Sequence, residues 1–91
     1  EENARQVLRF IVHAIRLRSL LLREETIEGH AYWSVLVGQM SAQILSLTPR
    51  EVGHAFRDLG LNGERTRDGY RYYWNKNQLD ILCAALEVEH V

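Results

Sequence analysis

Apolar residues in the first quarter of the chain recur at helical spacing. No proline or glycine interrupts residues 3–23, and the arginines fall largely outside the apolar band. The band consists of Ala4, Val7, Leu8, Ile11, Ala14, Ile15, Leu21 and Leu22. This pattern predicts one long N-terminal helix over residues 3–23. Phe10, Val12 and Leu17 widen the band beyond what one core face needs, which favours a homodimer formed through this helix.

A second apolar series, between residues 31 and 47, also fits helical spacing. Its members are Tyr32, Val35, Leu36, Met40, Ile44 and Leu47. Residues 31–37 contain enough β-branched and aromatic side chains for a strand, but they lack the alternation of a half-buried strand. The pattern therefore favours a helix, which Gly38 weakens by about 1 kcal/mol. Residues 23–29 are polar, end in glycine and are interpreted as a connector.

Residues 48–60 carry signals for both ends of a helix. The Thr48 hydroxyl can cap the first turn, Pro49 suits the first helical position, and Glu51 completes a capping box. Gly60 supplies the left-handed residue that closes the helix. The apolar stripe of this helix consists of Val52, Ala55, Phe56 and Leu59. The connection from the preceding helix is predicted to be very short, as helix-turn-helix geometry requires.

A hairpin and a last helix complete the predicted elements. Asp68-Gly69 is typical of a two-residue type I′ turn, which predicts a hairpin over residues 61–75. The expected cross-strand pairs are Arg67 with Tyr70, Thr66 with Arg71 and Arg65 with Tyr72. Asn77 is expected to cap a helix over residues 77–87, with Asp80 at its third position. The inward stripe of that helix consists of Leu79, Leu82, Cys83 and Leu86.

A capped helix with a basic face, followed by a hairpin bearing arginines and tyrosines, resembles the recognition helix and wing of a winged-helix DNA-binding domain. The resemblance covers residues 34–86 and rests on element order and spacing. It implies a mostly α fold with a small β-hairpin, within the α+β class, as one winged helix-turn-helix domain over residues 1–91. Residues 31–60 would be the helix-turn-helix and residues 61–75 the wing. The pattern is also similar to winged helices at the ends of viral and plasmid replication helicases.

Six side chains are the predicted contacts to DNA. On the helix face opposite the apolar stripe, for major-groove contact, they are Arg50, His54 and Arg57. On the hairpin, for phosphate or minor-groove contact, they are Arg65, Arg67 and Arg71. A solvated helix face and charge protection of a hairpin edge are the alternatives. Gly53 would let a sugar-phosphate strand approach closely, or it would accommodate packing against the first helices.

The aromatic residues of the hairpin also have two interpretations. Tyr70, Tyr72, Tyr73 and Trp74 could offer a stacking platform for unpaired bases. The alternative is that they seat the hairpin on the helices. Tyr72 and Trp74 share one face of the strand, and we expect that face to be mostly core.

Composition limits the partners and the compartment. The net charge of −1 argues against indiscriminate coating of nucleic acid, although residues 48–76 hold six basic residues against four acidic ones. The apolar fraction of 46% and the charged fraction of 25% are typical of a soluble globule. The single cysteine, Cys83, cannot form an internal disulfide, which favours an intracellular, cytoplasmic location. Every long apolar run is interrupted by Arg or His, so no membrane-spanning helix is expected.

Catalytic chemistry is not expected. The four histidines and one cysteine are not spaced as metal ligands, and the glycines do not form a phosphate-binding loop. No cofactor is therefore predicted, and the chain is not expected to be an enzyme. The leading hypothesis is a module that binds double-stranded DNA, either in a small transcription regulator or in a replication or plasmid-maintenance protein. The alternative is a winged-helix protein-interaction domain that does not bind DNA.

Overall fold

The computed structural model describes residues 2–89, in which four helices accompany a four-stranded antiparallel sheet. In chain order the elements are α1 (Glu2–Arg16), β1 (Arg23–Ile27), β2 (His30–Leu36), α2 (Val37–Ser41), α3 (Pro49–Asp58), β3 (Asn62–Thr66), β4 (Gly69–Asn75) and α4 (Lys76–Leu86). The strand order is β1-β2-β4-β3, so β2 hydrogen-bonds to the last strand rather than to β3. The predicted α+β class is confirmed, but the sheet is twice the size of the predicted hairpin.

The core lies between the helices and one face of the sheet. The sheet contributes Val35, Tyr72 and Trp74 to it, which confirms that Tyr72 and Trp74 face the core. Val7, Leu8 and Ile11 of α1 pack there with Val52 and Phe56 of α3. Leu79 and Cys83 of α4 are buried, and Leu82 and Leu86 pack against the same cluster, as their spacing predicts.

The first helix ends at Arg16, seven residues earlier than the pattern predicts. Arg18 adopts a left-handed conformation with φ of 52°, and the Ser19 N–H donates to the Ala14 carbonyl oxygen at 2.9 Å. This closure satisfies carbonyls at the end of the helix and turns the chain toward the sheet. Val12 is only 3% exposed because α1 contacts both α3 and α4. The interpretation of Val12 as surplus apolar surface was therefore wrong.

Residues 23–36 form a hairpin where the pattern predicts a connector and the start of a helix. Glu28 and Gly29 connect β1 to β2 with positive φ angles of 52° and 82°, as a tight hairpin turn requires. The strand β2 lies between β1 and β4, and its consecutive residues Ser34, Val35 and Leu36 are all buried. Where consecutive residues of a strand are all buried, the pattern of apolar and polar positions does not alternate. The absence of alternation was therefore a misleading indication of a helix.

The helix before α3 is much shorter than predicted. α2 spans only Val37–Ser41, and residues 42–48 lead to α3 through turns. Ile44 and Leu47 are buried in this connection, which explains why their spacing resembles a helix. The very short connection expected for a helix-turn-helix is therefore wrong.

The helix α3 forms as its sequence signals predict. The Glu51 N–H donates to the Thr48 hydroxyl oxygen at 3.2 Å, and the Thr48 N–H donates to the Glu51 carboxylate at 2.9 Å. Pro49 is the first helical residue. Gly60 follows the C-cap with φ of 76°, a conformation that glycine adopts without strain. The predicted capping box and glycine closure are both confirmed.

The β3–β4 hairpin is present, but its register differs from the predicted one. The turn residues are Arg67 and Asp68, so Thr66 pairs with Gly69, Arg65 with Tyr70, Glu64 with Arg71 and Gly63 with Tyr72. A Cβ on Gly63 would lie 2.6 Å from atoms of both the Tyr70 and Tyr72 rings. Only glycine fits between these rings, which places Gly63 rather than Arg65 opposite Tyr72.

The N-cap of the last helix lies two residues before the predicted N-cap. Asn75, not Asn77, is the N-cap, and its side chain accepts a hydrogen bond of 2.8 Å from the Gln78 N–H. The Gln78 side chain accepts one of 3.0 Å from the Asn75 N–H. Gln78 therefore occupies the position that the prediction assigned to Asp80, and the pair forms a complete capping box.

A candidate nucleic-acid interface

The outward face of α3 is basic and exposed. Arg50, His54 and Arg57 are all exposed, while the intervening Val52, Ala55 and Phe56 are buried. Arg57 Nη2 lies 2.7 Å from His54 Nδ1. A guanidinium can only donate, so the acceptor in this contact is His54 Nδ1. The pair gives the middle of the face one guanidinium group that is hydrogen-bonded to an imidazole ring.

The β3–β4 hairpin is fastened to α3 by an aromatic residue. Tyr72 stacks on Phe56, and its hydroxyl donates to the Gly53 carbonyl oxygen at 3.4 Å. Burial raises the pKa of Tyr72 above its ordinary value, while the positive charge of Arg57 acts in the opposite direction. The stacking and the hydrogen bond together place the basic face of α3 next to the hairpin.

Gly53 lies on the same side of α3 as Arg50, His54 and Arg57, beside the hairpin. A Cβ added to it would meet no atom of the described chain within 4 Å. Packing against the first helices therefore does not require glycine here. A glycine inside a helix destabilises it by roughly 0.5–1 kcal/mol relative to alanine. The open space above Gly53 leaves room for an external group to approach the helix backbone.

Two of the three predicted hairpin arginines are exposed. Arg65 is exposed and pairs with Tyr70 across the strands. Alternation along β4 and this pairing put Arg65, Tyr70 and Tyr72 on the sheet face that packs against α3. Arg67 is exposed in the turn at the end of the hairpin. Together, Arg50, His54, Arg57, Arg65 and Arg67 form what we call the basic surface.

Arg71 lies on the opposite face of the sheet and is only 5% exposed. Its Nη1 donates to the Ser34 hydroxyl oxygen at 2.9 Å, and the Ser34 hydroxyl donates to the Glu25 carboxylate at 3.2 Å. This chain of hydrogen bonds joins β4 to β2 and β1. The prediction of Arg71 as a DNA contact is therefore corrected, because its guanidinium holds the sheet together inside the fold.

The sequence pattern identified Tyr70 only as one of four rings that could stack on unpaired bases, and it did not link Gly63 to the site. Tyr70 is 41% exposed and its ring lies 5.2 Å from that of Tyr72. The Gly63 backbone lies beneath both rings. An isolated glycine within a strand often marks a site where another group approaches the backbone closely. This pattern could have identified Gly63 from the sequence.

The remaining features add no second site to this surface. Among residues 2–89, no group of three or more His, Cys, Asp or Glu side chains is arranged to hold a metal ion. In the same part of the chain, no helix has the length and apolar character needed to cross a membrane.

Comparisons with family models, with curated proteins and with solved structures find no match to this chain.

Proposed function

We propose that this chain is a winged helix-turn-helix domain that binds double-stranded DNA. In this proposal α3 enters the major groove and the β3–β4 hairpin is the wing that contacts the phosphate backbone. The order of elements supports it, because two successive helices are followed by a hairpin held beside the second helix. The process served is transcription regulation or DNA replication, in an intracellular, cytoplasmic setting.

The observation that carries the proposal is the position of Gly53 among the basic side chains of α3. The chain places a helix-weakening residue where no intramolecular contact uses the space. A phosphate backbone lying against α3 would use that space, and Arg50 and Arg57 are exposed to meet its charge. The Glu51 carboxylate, which would oppose DNA, is engaged at the start of the helix by the Thr48 N–H.

The decisive variant is Arg50→Ala combined with Arg57→Ala. Both side chains are exposed opposite the buried stripe, so the fold should remain intact. Fluorescence anisotropy with a random-sequence duplex at two salt concentrations should show weaker binding. The slope of log affinity against log salt concentration should flatten by about one unit for each phosphate that the variant no longer binds.

The wing is tested by Arg65→Ala combined with Arg67→Ala. This variant should weaken binding more evenly across DNA sequences, because phosphates carry no sequence information.

The matched control is Arg9→Ala combined with Lys76→Ala. Both side chains are exposed on other helices, and their removal changes the net charge by the same amount. A specific interface predicts a much smaller loss of affinity for this control than for the α3 pair. A folded Arg50/Arg57 double variant that binds the duplex as tightly as the parent would exclude α3 as the recognition helix.

Gly53→Ala provides a test in which stability and binding move in opposite directions. Alanine should stabilise the fold by roughly 0.5–1 kcal/mol because it favours the helix and meets no neighbour. Duplex affinity should nevertheless fall, because the new methyl group occupies the space assigned to DNA. Gly38→Ala is the control, since its Cβ also meets nothing but Gly38 lies in α2. If Gly53→Ala leaves affinity unchanged, DNA does not approach α3 at this point.

A protein-interaction domain is the second candidate function, and two exposed leucines favour it. Leu17 and Leu20, in the turn after α1, are 66% and 101% exposed. Contiguous exposed apolar side chains mark contacts with proteins, membranes or ligands. This function predicts little duplex binding at physiological salt and no response to the Arg50/Arg57 pair. The same anisotropy titration therefore separates the two candidates.

A further inference from the structure

Four aromatic rings form a continuous series from the core to the basic surface. Trp74 lies 6.2 Å from Phe56, and Phe56 lies 4.6 Å from Tyr72, in each case between ring centroids in a stacked arrangement. Tyr70 follows at 5.2 Å from Tyr72 with its ring tilted. Exposure along this aromatic series is 0%, 0%, 3% and 41%. The outermost ring therefore has a rigid interior behind it and solvent on its free side.

The Tyr70 ring is held in place from below. The Gly63 backbone passes so close that a Cβ there would lie 2.6 Å from Tyr70 Cε2 and 2.6 Å from Tyr72 Cε1. The strand pairing between β3 and β4 fixes this contact. A ring that already packs against the backbone on one side loses less conformational entropy than a free ring when a ligand stacks on its other side.

Cationic side chains lie near the exposed ring. Arg65 is the cross-strand partner of Tyr70. Arg57 lies one helical turn after Gly53, whose carbonyl oxygen accepts a hydrogen bond from Tyr72, the ring next to Tyr70. Both arginines are exposed. An aromatic ring beside two cations suits a nucleotide, whose base stacks on the ring while its phosphates meet the guanidinium groups.

We propose that the Tyr70 ring is a stacking site for an unpaired nucleobase, and that Arg57 and Arg65 hold the adjoining phosphates. The proposal rests on the proposed function and deepens it. A base inside a duplex is covered on both faces by its neighbours, whereas an unpaired base offers a free face. The preferred ligand is therefore a DNA duplex adjoining a single-stranded segment, with α3 on the duplex and Tyr70 on the unpaired strand.

Two probes of equal duplex length test this preference. In the first probe both ends are closed by linkers that contain no bases, so it offers no unpaired base. The second probe carries a single-stranded extension with 2-aminopurine as its first unpaired base. The parent protein should bind the extended probe at least about fivefold more tightly, as expected for one stacked base. Binding should also change the 2-aminopurine fluorescence. Equal affinity for the two probes together with unchanged fluorescence would overturn the inference.

Variants assign the effect to Tyr70. Tyr70→Ala should bind the two probes with equal affinity and should leave the 2-aminopurine fluorescence unchanged. Tyr70→Phe should preserve both, because stacking needs the ring and not the hydroxyl. Tyr32→Ala is the matched control, because it removes a partly buried tyrosine from the other face of the sheet. It should change neither the preference for the extended probe nor the fluorescence response. A Tyr70→Ala variant that keeps the preference would overturn the inference.

The same titrations distinguish failure of this inference from failure of the proposed function. The Arg50/Arg57 double variant should lose affinity for both probes, because both contain the duplex. If the parent binds the closed duplex and shows no preference, the stacking site is wrong and the proposed function stands. If the parent binds neither probe, both are wrong.

Discussion

The ring of Phe56 on α3 lies almost parallel to the ring of Tyr72 on β4, with centroids 4.6 Å apart and planes inclined by 11°. Both rings are buried. Stacked aromatic pairs contribute about 0.5–1.5 kcal/mol beyond the area they bury. This contact fixes the hairpin relative to α3, so the two parts of the basic surface keep a constant separation.

Phe56→Ala should destabilise the fold by roughly 3–5 kcal/mol, because it removes a fully buried ring and leaves a cavity. Thr48→Ala should cost only about 1 kcal/mol, the usual loss for a helix cap. Urea denaturation of the two variants measures both values. A larger loss for Thr48→Ala would mean that α3 packs in a different orientation.

Gly63→Ala should destabilise the fold by about 1–3 kcal/mol, the usual range for an overpacked site. The new Cβ would collide with the Tyr70 and Tyr72 rings, and Tyr72 cannot retreat because it stacks on Phe56. Gly38→Ala is the control, since its Cβ meets no neighbour and alanine favours the helix. Thermal denaturation should lower the Tm of the first variant and raise that of the second. A Gly63→Ala variant as stable as the parent would contradict the close approach.

Arg71→Ala should destabilise the fold by about 1.5–3 kcal/mol, the range for a hydrogen bond to a charged group. The change removes the donor that joins β4 to Ser34 and, through it, to Glu25. Arg65→Ala in the same hairpin is the control, and an exposed position should change stability by no more than about 0.5 kcal/mol. Chemical denaturation separates the two arginines. Equal losses would show that Arg71 does not hold the sheet together.

Stability should decline in alkaline solution. Burial is the main cause that raises the pKa of Cys83 above its ordinary 9.0 and those of Tyr72 and Tyr73 above 10.0. The unfolded chain therefore releases these protons first as the pH rises. The stability that these groups contribute is complete at pH values below their pKa in the unfolded chain. It is lost as the pH rises toward their higher pKa in the folded protein.

Denaturant titrations at successive pH values measure this decline. It should begin near pH 9, where the unfolded Cys83 thiol ionises. Cys83→Ala should delay its start to near pH 10, where the tyrosines begin to titrate. A free energy of unfolding that rises between pH 9 and 10 would have the wrong sign for all three groups.

The homodimer through the N-terminal helix stays a prediction, and its apolar surface now centres on the turn after α1. Leu17 and Leu20 are exposed there, beside the partly buried Phe10 and Ile15. Sedimentation should show a dimer when the protein concentration is tens of micromolar. This concentration populates the dimer of a weak interface with a Kd of roughly 1 μM. Leu17→Ser with Leu20→Ser should give a monomer, whereas Leu45→Ser, at an exposed leucine in another loop, should not. A monomeric parent would contradict the prediction.

Part of the candidate site is encoded locally. The capping box at Thr48 and Glu51 and the glycine closure at Gly60 each involve residues within one or two turns of each other. Their geometry follows from backbone chemistry alone. The exposed side of α3 therefore followed from spacing once the helix ends were known. The exposed positions of Arg50, His54 and Arg57 were predictable for the same reason.

The rest of the site depends on contacts between residues distant in sequence. β2 pairs with both β1 and β4, and its residues Ser34 through Leu36 are buried whichever face of the sheet they occupy, so the alternation that identifies a strand is missing. Arg71 has the same local sequence character as Arg65, yet it is buried because its partner is Ser34, thirty-seven residues away.

The hairpin register was also decided by the tertiary structure. Asp68-Gly69 has the composition of a turn, but the turn formed at Arg67-Asp68. The rings of Tyr70 and Tyr72 leave space for Gly63 and for no larger residue, and the position of Tyr72 is set by Phe56 on another element. Short-range hydrogen bonds determined where α3 begins and ends, while close packing of bulky side chains determined which residues the hairpin presents beside it.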